Sequence, residues 1–490
     1  MTHQASAILA IDQGTTSTKA FVLTDDGTFI SCGGLAHRQI LPGDGLVEHD
    51  AEELIGNIET LIDRALAAHP QISAMALANQ GETVIAWDRV TKRALYHAIV
   101  WQDQRSQGRL DALPASTKAQ VSALSGLPVD AYFSASKIAW LLEHVPAVGK
   151  AARDGRLGIG TSESFFIDRL TGQYVTDPTT ASRTSLMNIA DGRFDDGLCQ
   201  IFGVPRDLLP KIVPTAGFFG VIRRRDRELP LVVSIVDQQA ALFGHGCRTV
   251  GDAKITFGTG SFALALSGAA PILDRPGLVP TIAWQLPGEA PVYALDGGDY
   301  TAAAAVDWAI SIGLAGSYED FAFDDATPAI TRGIAFVPAL AGLAAPYWRR
   351  DVAASFVGLR QATAPADLRK AVLEGIAYRG AELIEALGGE GDGPVSIDGG
   401  LARNSYFVQF LADAMARPVC LQESAELTAL GLAEMAYLAS SLPVPERLGE
   451  PSRLIVPGPR SPAIRERRAY FQTAINLAAE LASSQNAPAS

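Results

Sequence analysis

The feature that most constrains the fold is a turn rich in hydroxyl side chains, flanked by two short apolar runs. Residues 8–11 and 20–23 enclose the segment Asp12-Gln13-Gly14-Thr15-Thr16-Ser17-Thr18-Lys19, a pattern typical of adjacent strands joined by a tight loop. Such a loop can direct backbone amides and hydroxyls into one phosphate-sized space, with Asp12 placed to hold a metal ion beside it. The alternative is an ordinary hairpin whose hydroxyls only satisfy the turn.

A similar pattern recurs beyond the middle of the chain. Residues 253–257 and 262–266 flank Gly258-Thr259-Gly260-Ser261, and a glycine-rich break at 244–251 precedes them. Because 490 residues exceed what one hydrophobic core usually supports, we predict an N-terminal domain of residues 1–247 and a C-terminal domain of residues 248–490. We hypothesise that the two turns bind phosphate and face each other across a cleft. The alternative is that the two hairpins are similar by chance.

Charge and cysteine content limit the partners and the compartment. A net charge of −13 argues against a nucleic-acid partner, because phosphate backbones are bound by basic surfaces. The four cysteines are widely scattered, which favours reduced thiols in a cytoplasmic protein. No apolar run approaches the ~20 residues that span a bilayer, so no membrane association is expected.

Three predicted buried strands end in polar or aromatic side chains, where α/β proteins often place binding groups. The segments that follow these strands are Asn79-Gln80-Gly81-Glu82, Trp101-Gln102-Asp103 and Asp237-Gln238-Gln239. Plain polar turns, and core packing for Trp101, are the alternatives. Asp237 is either the N-cap of the helix that follows or a carboxylate at a cleft that accepts a proton from a substrate hydroxyl.

Helical periodicity and cap residues predict several helices. We expect helices over 51–68 with Asp50 as N-cap, over 301–310, over 365–387 and over 406–416, and a serine-capped helix after Tyr132 and Phe133. Asn404 is expected to open the helix over 406–416. Gly399 and Gly400, between a strand and this helix, allow a nucleotide to approach the backbone closely, or form a plain tight turn.

In their order along the chain, these motifs resemble those of the FGGY carbohydrate kinases, and within them the glycerol kinase group. The specific segments are Asp12 to Ser17, Trp101-Gln102-Asp103, Tyr132 to His144, Asp237 to Gly244, Phe257 to Gly260, Ser355 to Leu359 and Asp398-Gly399-Gly400. The resemblance implies an α/β fold in which two actin-like ATPase (ribonuclease H-like) domains flank a catalytic cleft. It also implies an ATP-dependent kinase that phosphorylates glycerol or a related polyol or ketose, with a homodimer as an expected assembly.

The resemblance further implies roles for individual residues. Asp237 would be the general base and Asp12 would help to place Mg²⁺. The residues expected to frame the acceptor are Gly81, Glu82, Trp101, Tyr132, Asp237, Gln238 and Phe262. The residues expected to contact ATP are Thr15, Thr16, Ser17, Lys19, Thr259, Ala303, Asp307, Gly400 and Asn404.

Four positions depart from the glycerol kinase pattern. Gly81 stands where that pattern has an arginine, which favours a longer polyol or a ketose in the vacated space, unless water or another side chain fills it. Lys19 replaces an arginine, Ala303 a glycine and Asp307 a glutamine around the nucleotide. A pentulose or tetritol kinase is therefore an alternative, as is a catalytically silent regulator that binds nucleotide.

Overall fold

The computed structural model describes residues 6–224, 226–323, 327–388, 393–422, 424, 426–446, 453–459 and 462–485. The strands are β1 (Ala7–Gln13), β2 (Ser17–Thr24), β3 (Phe29–Ala36), β4 (Glu48–His49), β5 (Ile72–Asn79), β6 (Val84–Asp88), β7 (Arg93–Ala94), β8 (Ala98–Ile99), β9 (Leu157–Thr161), β10 (Val175–Thr176), β11 (Met187–Asn188), β12 (Arg193–Phe194), β13 (Lys211–Ile212), β14 (Val221–Arg224), β15 (Arg227–Val236), β16 (Ala253–Phe257), β17 (Ser261–Gly268), β18 (Val279–Trp284), β19 (Val292–Asp299), β20 (Ala335–Val337), β21 (Ser355–Val357), β22 (Val395–Gly399), β23 (Val419–Leu421) and β24 (Arg453–Ile455).

The α-helices are α1 (Ala51–Ala68), α2 (Gln107–Asp111), α3 (Ala115–Ser125), α4 (Ser134–His144), α5 (Pro146–Arg153), α6 (Ser162–Thr171), α7 (Pro178–Ala181), α8 (Asp196–Phe202), α9 (Asp237–Gly244), α10 (Ala303–Ser311), α11 (Pro365–Ala386), α12 (Ser405–Met415), α13 (Leu427–Ala439) and α14 (Pro462–Gln485). Short 3-10 helices lie at Arg206–Leu208, Tyr318–Phe321, Ala329–Arg332 and Gly400–Arg403. Within the described residues, no helix is both long and apolar enough to cross a bilayer.

The two main sheets share the arrangement of their central strands. In the first, with the order β14-β15-β5-β1-β2-β3, β1 pairs antiparallel with β2 and parallel with β5. In the second, with the order β18-β19-β17-β16-β22-β23-β24, β16 pairs antiparallel with β17 and parallel with β22. Each predicted phosphate turn therefore joins the first two strands of its sheet, and both turns occupy equivalent places.

The hydrophobic cores explain how these strands hold the turns. The apolar residues of β1 are fully buried; Leu9 and Ile11 pack towards α1, while Ile8 and Ala10 face α9 and α13. Because β1 is buried on both faces, its sequence is a nearly continuous apolar run, as expected of a central strand. The polar turn that follows is consequently fixed on a rigid strand.

Candidate active site

The first phosphate turn lies at the open end of β1 and β2. Gly14 N donates to Ser17 O at 3.0 Å and closes the turn, leaving Thr16 exposed. Asp12 Oδ1 is buried and has no hydrogen-bond partner among the described residues, and burial raises the pKa of Asp12 to about 6. Such an orphaned carboxylate oxygen suits a cation ligand, because a bound cation supplies the missing partner.

The second phosphate turn is held against the beginning of α10. Gly258 O accepts from Ala303 N at 2.9 Å, and Thr259 O accepts from Ala302 N at 2.9 Å. A Cβ atom at Gly260 would lie 2.5 Å from Asp299 O, so glycine is required there for the turn to contact β19. Ala303, predicted to contact ATP, thus holds this turn through its backbone.

A cavity of about 140 Å³ lies between the two sheets and brings all seven predicted acceptor residues together. It is lined by Gly81, Glu82, Trp101, Tyr132, Asp237, Gln238 and Phe262, and also by Thr15, Gln80, Arg183, Val236, Gln239, Leu264 and Asp296. Since Thr15 of the first phosphate turn and Asp237 line the same cavity, the acceptor pocket opens onto the place expected for phosphate.

Arg183 and Asp296 also line the acceptor pocket, although no sequence motif indicated them. Arg183 Nε donates to Glu82 Oε1 at 2.6 Å, and Arg183 Nη1 lies 2.9 Å from Asp296 Oδ2. The Arg183 side chain is only 6% exposed. A buried guanidinium requires such partners, so it fixes two carboxylates whose oxygens can accept hydrogen bonds from a polyol.

The backbone at Glu82 is in the left-handed region, with a φ of +58°. Ser134 Oγ donates to Glu82 O at 3.1 Å, which holds this uncommon conformation in place. The predicted serine cap of the helix after Phe133 is therefore wrong: α4 begins at Ser134 itself with Phe133 at the N-cap position. The Ser134 hydroxyl instead supports the acceptor pocket, because it donates to the backbone oxygen of Glu82.

Asp237 is the first residue of α9, and Val236 occupies the N-cap position, so the N-cap interpretation of Asp237 is wrong. Asp237 Oδ1 accepts from Gln238 N at 2.7 Å. Burial raises the pKa of Asp237 to about 7, and the neighbouring carboxylates of Asp12 and Glu82 add to this effect. A carboxyl group with such a pKa can act as a base near neutral pH.

Gln238 is held from the other side of the cleft. Lys254 Nζ, on the fully buried side chain of Lys254 in β16, donates to Gln238 Oε1 at 2.6 Å. The carboxamide oxygen is thus occupied, which leaves the Gln238 NH₂ group available as a donor towards the acceptor pocket.

Of the remaining residues predicted to bind ATP, Asp307 lies in α10, Gly400 and Asn404 precede α12, and Lys19 lies in β2. Asn404 is the N-cap of α12, as predicted, and its side chain accepts from Phe407 N at 2.9 Å and donates to Phe321 O at 2.9 Å. Gly400, four residues earlier, is exposed. Asp307 is exposed and accepts a hydrogen bond from Tyr318 Oη, while Lys19 forms an ion pair with Glu426 at 2.8 Å.

The sequence matches the N-terminal domain of the FGGY family of carbohydrate kinases over residues 7–244 and its C-terminal domain over residues 253–440. The chain belongs to the FGGY family of carbohydrate kinases. It is therefore an ATP-dependent carbohydrate or polyol kinase. The family, fold class and enzyme class predicted from the sequence are confirmed.

Several curated relatives of this FGGY kinase are named glycerol kinases. The chain is 41% identical to one from Methylobacterium nodulans, over 91% of this chain and 92% of the relative. It is 39% identical to another from Trichlorobacter lovleyi, over 89% of this chain and 90% of the relative.

Solved structures show the same fold. A Plasmodium falciparum glycerol kinase with ADP has a TM-score of 0.90 and 30% identity, covering 96% of this chain and 98% of that one. A gluconate kinase from Lactobacillus acidophilus has a TM-score of 0.85 at 21% identity, covering 99% of both chains. The second likeness shows the fold alone.

Proposed function

We propose that this FGGY kinase transfers the γ-phosphate of ATP to a primary hydroxyl of glycerol or a similarly small polyol, with Asp237 as the general base. The observation that carries this proposal is the shared cavity lined by Asp237, Thr15 and the acceptor residues. Its volume of about 140 Å³ is well below the ~300–1,000 Å³ of pockets for drug-sized ligands. The curated glycerol kinase relatives support the same acceptor class.

The reaction begins with a polyol lying against Trp101 and Phe262, its hydroxyls hydrogen-bonded to Glu82 and the Gln238 NH₂ group. Asp237 takes the proton from a primary hydroxyl, and that oxygen attacks the γ-phosphorus in line with the leaving ADP oxygen. The hydroxyls and amides of the two phosphate turns, through Thr15 and Thr259, stabilise the charge on the transferred group.

Asp12 is the residue proposed to hold Mg²⁺. Within the described ranges, no group of three His, Cys, Asp or Glu side chains converges on one point. Mg²⁺ fits Asp12 nonetheless, because this ion is commonly bound by one or two carboxylates together with substrate phosphates and water. When bound, Mg²⁺ neutralises negative charge on the phosphates.

Replacing Asp237 tests the proposed base. Asp237→Asn keeps the size of the side chain and an oxygen for Gln238 N, yet cannot accept the proton. We expect kcat to fall about 10²- to 10⁴-fold, with the melting temperature unchanged at pH 4, where the carboxyl group of the folded wild-type enzyme is protonated. Asp196→Asn, which removes a surface carboxylate paired with Arg206, is the control. Near-normal turnover of Asp237→Asn would exclude this base, and ATP binding by the wild type without transfer to any acceptor would favour the nucleotide-binding regulator.

Val236 bears on the size of the acceptor. A Cβ atom at Gly81 would lie 3.3 Å from Val236 Cγ1, so the valine occupies space in front of the glycine. The guanidinium group of Arg183 also forms an ion pair with the Glu82 carboxylate. Both contacts support another side chain, rather than a longer substrate, as the occupant of the space at Gly81.

Val236→Ala is expected to widen this end of the pocket. The ratio of kcat/KM for four- and five-carbon polyols and ketoses to that for glycerol should rise several-fold, since one lost methylene or methyl contact changes discrimination ~10-fold or more. A panel of acceptors assayed with ATP measures this ratio in wild type and variant. A wild-type preference for a pentulose would contradict the small-polyol proposal.

The homodimer, the cytoplasmic location and the division of the chain at residue 247 stay predictions. Light scattering, cell fractionation and limited proteolysis test them in turn.

A further inference from the structure

Thr15 is held by more side chains than a turn requires. Its carbonyl oxygen accepts from Gln39 Nε2 at 2.9 Å and from His37 Nε2 at 2.8 Å. Its hydroxyl oxygen lies 3.1 Å from Trp101 Nε1. Three side chains from two segments of the chain therefore converge on one residue of the first phosphate turn.

The contact through Gln39 continues to the acceptor pocket. His49 Nε2 lies 2.9 Å from Gln39 Oε1, and Gln80 Nε2 lies 3.3 Å from His49 Nδ1. Gln80 lines the acceptor cavity, and the side chains of His49 and Gln80 are buried, with residue exposures of 0% and 1%. A chain of hydrogen bonds thus joins the acceptor pocket to Thr15.

Only one arrangement of protons satisfies this chain. Because a carbonyl oxygen can only accept, Gln39 Nε2 donates to Thr15 O, and Gln39 Oε1 is left to accept from His49 Nε2. His49 Nδ1 then accepts from Gln80 Nε2. Burial lowers the pKa of His49 to about 3, so the neutral ring that this order needs is the form present at neutral pH.

The Trp101 contact fixes the Thr15 hydroxyl in the same way. An indole N–H can only donate, so Thr15 Oγ1 accepts from it. The hydroxyl proton of Thr15 therefore points away from the indole and can be donated to another acceptor, such as a phosphoryl oxygen.

We propose that Gln80, His49 and Gln39 form a positioning relay that holds Thr15 in register with the acceptor pocket, while Trp101 orients the Thr15 hydroxyl towards the transferred phosphoryl group. The inference rests on the proposed role of Thr15 in phosphate binding. Misplacement of a reacting group by about 1 Å can cost ~100-fold in rate. The relay supplies support of this kind from residues that do not contact the phosphate.

Gln39→Glu is the decisive variant. Glutamate has the same shape and still accepts from His49, but it places an oxygen instead of a donor against Thr15 O. Gln39 is exposed, so the fold should tolerate the change. We expect kcat to fall at least about tenfold, with the melting temperature unchanged and KM for glycerol within about twofold of wild type. Gln104→Glu, at another exposed glutamine in the same domain, is the control for added charge.

His49→Phe provides a second readout, because it breaks both relay bonds and keeps a planar ring. If the residues act as one relay, the double variant with Gln39→Glu should lose no more kcat than the more impaired single variant. His49→Gln, which retains an acceptor and a donor, should recover part of the lost kcat. Tyr96→Phe, which removes a bond to Glu48 beside His49, should leave kcat unchanged.

Three outcomes would overturn the relay: kcat of Gln39→Glu within twofold of wild type, an equal loss in Gln104→Glu, or losses that multiply in the double variant. A wild-type enzyme that does not phosphorylate small polyols would instead overturn the proposed function. The relay variants would then be compared on the acceptor that the panel identifies, so the two failures are distinguishable.

Discussion

Asp237 shows how one residue sets the pH dependence of the whole enzyme. Burial raises the pKa of its carboxyl group to about 7, and a general base acts only when ionised. We therefore expect kcat/KM to fall about tenfold per pH unit below pH 7 and to level off above it. A pH–rate profile between pH 5 and 9 measures this acidic limb, the part of the profile in which kcat/KM falls with decreasing pH.

The charges that face Asp237 allow this assignment to be checked. Asp12 and Glu82 raise its pKa, whereas Lys254 lowers it. Lys254→Met should therefore move the limb to higher pH, and a limb that stays in place would contradict the assignment. Because the folded pKa lies above the ordinary value of 3.8, the protonated carboxyl group contributes stability that is lost as the pH rises from about 4 to about 7. Asp237→Asn should accordingly raise the melting temperature at pH 8, with the difference vanishing towards pH 4.

At the scale of elements, local patterns predicted the scaffold better than the site. The helix predicted over 51–68 has those bounds in α1, with Asp50 as its N-cap, because apolar spacing and a cap residue are local signals. The predicted helix over 301–310 begins later, at Ala303, since the backbone of Ala302 is not helical, with φ −121° and ψ −99°. The strand–turn–strand pattern likewise predicted both turns.

Arg183 and Asp296 could not be found in this way. They lie 113 residues apart, since 296 − 183 = 113, and meet only because the sheets bring β19 next to the segment after α7. Their joint burial with Glu82 is a property of the tertiary fold, which a single sequence does not display. The one local signal was an arginine amid small and hydroxyl residues, from Thr179 to Ser185.

The second phosphate turn offers a test at the element scale. A Cβ atom at Gly260 would lie 2.5 Å from Asp299 O, whereas the nearest atom to a Cβ at Gly258 is Gly260 O, at 3.8 Å. Gly260→Ala should displace the turn, raise KM for ATP and destabilise the fold by ~1–3 kcal/mol. Gly258→Ala is the matched control. Steady-state kinetics and thermal unfolding separate the two variants, and equal effects would contradict the packing argument.

At the scale of the molecule, the two halves are joined by a close crossing of α9 and α13. A Cβ atom at Gly244 would lie 2.0 Å from Leu427 O, and one at Gly431 would lie 2.2 Å from Ala240 O. Helix α13, although it lies between β23 and β24 of the second sheet in sequence, packs against β1 and β5 of the first. The crossing therefore couples the position of Asp237, on α9, to the C-terminal half.

Gly431→Ala is expected to force these helices apart, because the added methyl group meets backbone atoms that cannot rotate away. The melting temperature should fall by several degrees, as overpacking costs ~1–3 kcal/mol, and kcat should fall with it because α9 carries the base. Gly56→Ala in α1 is the control: its Cβ would find no described heavy atom within 4 Å, and alanine should stabilise that helix by ~0.5–1 kcal/mol. Unchanged kcat in a destabilised Gly431→Ala enzyme would show that the crossing supports the fold without positioning Asp237.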